Sequence, residues 1–176
     1  MPKLPVLWLY GLPNAGKTTL SRAVAESLYR QHWLSPVLVD GGECRGWMSS
    51  DLGFSPNDRE THHIRMARYV NTLHRAGIPV VAASIAPTVK TRAYVSGMMG
   101  DDVCWVYLDC DGRTREAREP RKGLTKSEID SDGLFEPPTR EELQHKNRHL
   151  IIPTHMSIGF CRDCIVGWYL KSAGLE

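Results

Sequence analysis

Apolar and polar positions along this chain fall into two alternating kinds of block. Short, nearly continuous apolar runs recur at 4–10, 36–39, 78–84 and 103–108, with a weaker one at 150–152. Runs this short, rich in Val, Leu and Ile, read as strands buried on both faces. Between them the apolar residues return at helical spacing, as at Leu20, Val24 and Leu28. That pattern predicts helices over 17–31, 58–76, 90–98, 113–118 and 159–172. Strand–helix alternation with short connections predicts an α/β fold, a doubly wound parallel sheet with helices on both faces. Such sheets hold ligands at the carboxyl ends of their strands, so the residues just after each strand are the ones to read for chemistry.

One stretch breaks the alternation. Residues 119–147 are rich in charge, with Pro120, Gly123, Gly133, Pro137 and Pro138, and poor in aliphatic side chains. A long polar insertion in a compact chain reads as a lid over a site that must exclude water. The 176 residues otherwise suit one domain, 1–176, with a substantial core. A formal net charge of +2 gives no support for a surface that coats nucleic acid. Five scattered cysteines point away from a disulfide framework and towards a reducing compartment. With no signal-peptide pattern and no apolar run approaching a membrane span, the chain reads as soluble and cytoplasmic.

The strongest chemical signal follows the first strand. Gly11-Leu-Pro-Asn-Ala-Gly-Lys17-Thr18-Thr19 spells G-x-x-x-x-G-K-[ST], the Walker A phosphate loop, between a strand and a helix as the motif requires. The loop from Pro13 through Asn14, Ala15, Gly16, Thr18 and Thr19 is expected to wrap phosphate oxygens, with the backbone N–H groups from Asn14 onward as donors. The helix start adds partial positive charge, and Lys17 a full one. Pro13 has no N–H and serves there only as part of the loop backbone. Thr18 is placed to put its hydroxyl on Mg2+ bridging the last two phosphates of ATP.

The other strand ends carry weaker signals. Asp40-Gly41-Gly42-Glu43-Cys44-Arg45 follows the second strand. Its paired acids suit coordination of magnesium-bound water or a base for an acceptor hydroxyl, and equally a solvated turn. In the next segment Ser55 reads as a helix N-cap and Pro56 as the first helical residue. Arg59 in that first turn opposes the helix dipole, which points to an anionic ligand. Ser84, Ile85, Ala86 and Pro87 follow the third strand, and Arg118 with Arg121-Lys122-Gly123-Leu124 lies near the lid. His62 and His63, adjacent on one helix, have the wrong geometry for one metal and read as ligand contacts or surface. Cys161-x-x-Cys164 reads as core packing before zinc. Trp8, Trp33, Trp105 and Trp168 read as core or edge packing, with Trp47 a candidate wall of an acceptor pocket.

Taken in order, Walker A, D-G-x-x-x-R, D-L-G-F-S-x-x-D-R-E, an I-x-P turn, R-x-x-x-x-K-G-L and a late F-E-x-P resemble adenylylsulfate (APS) kinases from about Leu7 to Pro137. The resemblance implies a P-loop kinase that moves the γ-phosphate of Mg-ATP to the 3′-hydroxyl of adenylyl sulfate. It also implies a possible homodimer. By that resemblance Gly11 to Thr19 and Arg118 bind ATP, and Lys17, Asp40 and Glu43 are the catalytic candidates. Arg45, Arg59, His62, Ser84, Ile85, Pro87, Lys122, Gly123 and Leu124 face the acceptor.

The acceptor half departs from the family pattern. Gly42 and Glu43 replace an aspartate and an asparagine, His62 an asparagine, and Ile64 an arginine. Ser84 replaces a large apolar or aromatic residue, Ala86 a serine, and the lid segment is reduced to Thr125–Ile129. A bidentate arginine on a buried anion is worth about 1.5–3 kcal/mol, so these departures bear on the acceptor. Three readings stand: phosphorylation of a small nucleotide-like acceptor, nominally adenylyl sulfate; the same chemistry on another nucleotide conjugate or a hydroxylated base in DNA; and a nucleotide-binding module without catalysis.

Overall fold

The computed structural model describes residues 4–118, 135–144 and 148–175. Five strands, β1 (Val6–Tyr10), β2 (Val37–Asp40), β3 (Val80–Ser84), β4 (Val103–Asp109) and β5 (His149–Pro153), form one sheet in the order β2-β3-β1-β4-β5. Every neighbouring pair is parallel. The described helices are α1 (Lys17–His32), α2 (Gly41–Trp47), α3 (Pro56–Arg75), α4 (Val89–Met99), α5 (Gly112–Ala117), α6 (Arg140–Gln144) and α7 (Ile158–Ser172).

Side-chain alternation along the strands divides the interior in two. Leu7 and Leu9 of β1 join Val106 and Leu108 of β4 beneath α1 and α7, against Val24, Leu28, Ile165 and Tyr169. Val6, Trp8 and Tyr10 point the other way, to Met66 and Val70 of α3, Val95 of α4 and Trp105. Both faces of the central strands are therefore covered, which is why β1 reads as an unbroken apolar run. Cys161 is buried and Cys164 half-buried in the first of these cores.

Four sequence expectations need correction. Asp40–Arg45 is no open turn: Gly41–Trp47 is helical, and the Asp40 carboxylate caps it by accepting from the N–H groups of Gly42 at 2.8 Å and Glu43 at 3.3 Å. That cap satisfies two donors that would otherwise be orphaned, which offsets the poor helix propensity of Gly41 and Gly42 at the start of the helix. Trp33 is not packed at all; it ends α1 in a left-handed conformation, 90% exposed. Trp47 stands edge-on to Tyr69 at 5.4 Å, away from the cavity described below. Finally, residues 135–144 fall within the stretch read as a lid, yet they are tied to the body of the fold. The Glu136 N–H donates to the Pro87 carbonyl at 2.7 Å, and Glu142 pairs with buried Arg92. Lys122, Gly123 and Leu124 lie outside the described residues.

Candidate active site

The loop after β1 owes its path to two glycines. A Cβ on Gly11 would lie 2.8 Å from the Leu108 carbonyl oxygen, so only glycine lets the loop pass β4. Gly16, at φ 97°, caps α1 with no side-chain hydrogen bond to its first turn. The leading N–H groups of α1 thus face the cavity, as an anion-binding helix start requires. Lys17 reaches back over this loop, its Nζ donating to the carbonyls of Gly11 at 3.0 Å and Leu12 at 2.6 Å. Burial lowers its pKa to about 8, against the opposing pull of the Asp40 carboxylate.

Thr18 and Asp40 meet across the site. Thr18 Oγ1 donates to Asp40 Oδ2 at 2.6 Å, so hydroxyl and carboxylate oxygens converge beside the phosphate loop. Hard oxygen donors of this kind suit Mg2+. Glu43 is placed elsewhere: its carboxylate pairs with Arg22 at 2.6 Å, with both side chains about 60% exposed, and it does not line the cavity. Helix α2 is the cause, since it turns the residue after Gly42 outward.

A cavity of about 870 Å³ runs from this loop towards α3. Its phosphate end is lined by Pro13 to Thr19 together with Asp40. Beyond the loop, Arg118 closes one side, its Nη2 donating to the Thr154 carbonyl at 2.6 Å, with Met156 and Ile158 beside it. The sequence reading missed Thr154, Met156 and Ile158, although they follow the fifth strand where a doubly wound sheet places ligand contacts.

The opposite end gathers Arg45, Arg59, Phe54, His62, His63, Ser84, Ile85 and Pro87. The Phe54 ring lies under two guanidinium groups, 4.6 Å from Arg45 Cζ and 5.6 Å from Arg59 Cζ. Both arginines also hold the loop between α2 and α3: Arg45 Nη1 donates to Gly53 O at 2.8 Å, Arg59 Nε to Phe54 O at 2.9 Å. The expected cap is present, Ser55 Oγ accepting from the Asp58 N–H at 3.2 Å. Ser84 is buried, and its Oγ accepts from Trp8 Nε1 at 2.9 Å.

Both histidines are buried, contrary to a surface placement. His62 Nδ1 lies 2.9 Å from Ser49 Oγ, and His63 Nδ1 lies 2.7 Å from the Arg59 carbonyl. Burial lowers both pKa values to about 4, assisted by the positive charge of Arg45. This end of the cavity therefore presents two fixed cations and two neutral imidazoles at pH 7.

A parallel sheet in this order, a glycine loop feeding α1, and a cavity joining that loop to a cationic platform define a P-loop kinase. The resemblance seen in the motifs holds over most of the chain. The chain belongs to the adenylylsulphate kinase family, whose model matches residues 3–142. It is 32% identical to the adenylyl-sulfate kinase of Clostridium acetobutylicum over 145 residues, 78% of this chain and 72% of that protein. With the adenylyl-sulfate kinase of Geotalea daltonii it shares 35% identity over 146 residues, 78% of this chain and 71% of the relative. Among solved structures it is similar to the Mycobacterium tuberculosis APS kinase CysC in complex with AMPPNP and APS. That match has a TM-score of 0.78 at 25% identity and covers 96% of this chain and 98% of that one. No helix among the described residues is long and apolar enough to cross a membrane.

Proposed function

We propose that this chain transfers the γ-phosphate of ATP to the 3′-hydroxyl of adenylyl sulfate. The observation that carries the reading is the single cavity in which Asp40 stands between the phosphate loop and the Arg45–Phe54–Arg59 platform. Lys17 and the first N–H groups of α1 hold the β- and γ-phosphates. Arg118 closes the nucleoside end. The Thr18 hydroxyl would hold Mg2+, which when bound neutralises charge on the phosphates. Arg45 and Arg59 orient the anionic acceptor while Phe54 offers a face to its base. The acceptor oxygen attacks the γ-phosphorus, the bond to the bridging β-oxygen breaks, and ADP leaves. Asp40 takes the hydroxyl proton.

The test is a mass-resolved assay of the purified protein with Mg-ATP and adenylyl sulfate, with Lys17→Ala as control. Lys17-dependent formation of the 3′-phosphorylated product supports the reading. Tight ATP binding with no such product would move it to a second one, in which the chemistry is kept and the acceptor is another hydroxylated nucleotide. Ser84 is what favours that alternative, because its small buried side chain leaves the β3 wall without an aromatic face.

A further inference from the structure

The turn after β3 forms one wall of the acceptor end, through Ile85 and Pro87. Its middle residue, Ala86, is buried in a left-handed conformation at φ 43°, which a residue bearing a Cβ adopts only when its surroundings impose it. Two buried side chains impose it here. From α4, Arg92 Nη1 donates to the Ala86 carbonyl at 3.1 Å. From α3, His63 Nε2 accepts from the Ala86 N–H at 3.0 Å. The same imidazole uses Nδ1 on the Arg59 carbonyl, and since a carbonyl only accepts, Nδ1 must carry the proton. One protonation state satisfies both bonds: the neutral ring with hydrogen on Nδ1 and a lone pair on Nε2. The lowered pKa of about 4 agrees with it.

We propose that His63 is a positioning residue, a neutral imidazole bridge that locks the Ile85–Pro87 turn to the first turn of α3 and thereby sets the spacing between the two walls that grip the acceptor. Arg59, whose guanidinium faces the acceptor, and Ala86, whose neighbours line the opposite wall, are both held through their backbones by this one ring. The phosphate loop shares neither bond, so the bridge acts on acceptor affinity and leaves ATP affinity alone. That consequence rests on the proposed reading of the cavity.

The test has two arms. Ring nitrogen resonances of 15N-histidine-labelled protein are expected to show His63 protonated at Nδ1 and unprotonated at Nε2 throughout neutral pH, a signature that needs no acceptor. In steady-state assays, His63→Leu is expected to raise the KM for adenylyl sulfate about tenfold while the KM for ATP moves less than about twofold. His63→Gln, whose side-chain oxygen reaches the Nε2 position, is expected to recover most of the acceptor affinity. Protonation of Nε2 would overturn the bridge. A folded His63→Leu protein with unchanged acceptor KM, or with both KM values raised alike, would overturn the positioning role. If the unmodified protein fails to phosphorylate adenylyl sulfate, the functional reading falls, and the ring-nitrogen arm still decides the bridge.

Discussion

Thr18 Oγ1 donates to Asp40 Oδ2 across 2.6 Å, joining the first turn of α1 to the end of β2. The other Asp40 oxygen caps α2 through Gly42 and Glu43. In the proposed reaction one carboxylate serves both the chemistry and the local fold, and substitutions separate the two. Asp40→Asn retains an oxygen for the cap and loses the charge, so turnover is expected to fall about a hundredfold or more with little change in thermal stability. Asp40→Ala also removes the cap, at a further cost of about 1 kcal/mol. Parallel kinetics and thermal melts of both variants check this. Glu43→Gln, altering an exposed side chain paired with Arg22, is expected to leave turnover within about twofold.

In the proposed reaction Lys17 is expected to set a basic limb. Its pKa is lowered to about 8 by burial, so in the free enzyme the ammonium is lost as pH rises through that value. The kcat/KM for ATP, which reports the free enzyme, is expected to decline above about pH 8. Lys17→Arg stays charged throughout this range, so its reduced activity should show no such limb. A profile unchanged in shape would contradict the assignment.

Arg92 is 1% exposed and bidentate to Glu142, 2.7 Å and 3.0 Å, with its guanidinium 5.0 Å from the Tyr10 ring centroid. Burial pushes the Glu142 carboxyl up, but the Arg92 hydrogen bonds, the Thr139 N–H and the arginine charge outweigh it and hold the pKa below the usual value. Removing one partner strands the other. Glu142→Leu is expected to destabilise the fold by about 3–5 kcal/mol, measured by denaturant titration. Pairing it with Arg92→Met should recover part of that loss while leaving the Ala86, Glu136 and Pro137 carbonyls without their donor.

Acid stability follows from the two buried histidines. Their folded pKa values, about 4, lie below the ordinary 6.5, so between these limits the unfolded chain binds more protons than the native one. Stability is therefore complete above about pH 6.5 and is lost as pH falls towards 4. His63 alone accounts for at most about 3 kcal/mol of that loss, and His63→Leu should flatten the slope of stability against pH. Chemical denaturation between pH 4 and 7 measures it.

What the linear sequence determined is contiguous or periodic. Residues 11–19 announce a phosphate loop because the chemistry uses consecutive backbone N–H groups, and Ser55-Pro56 announces the start of α3 because caps are local. The five strands were legible because burial on both faces leaves unbroken apolar runs. The tertiary structure alone decided where side chains point. Asp40 and Glu43 look equivalent as strand-end acids, but the helix begun by Asp40 turns one inward and the other to solvent. His62-His63 reads equally as ligand contacts or surface, and only the packing of α3 against the turn at Ala86, 23 positions from His63, shows that both rings are buried. Arg92 finds Glu142 across 50 positions and has no local signature at all. Such pairings depend on helix phase and on which elements meet across the sheet, and neither quantity is carried by any short stretch of the chain.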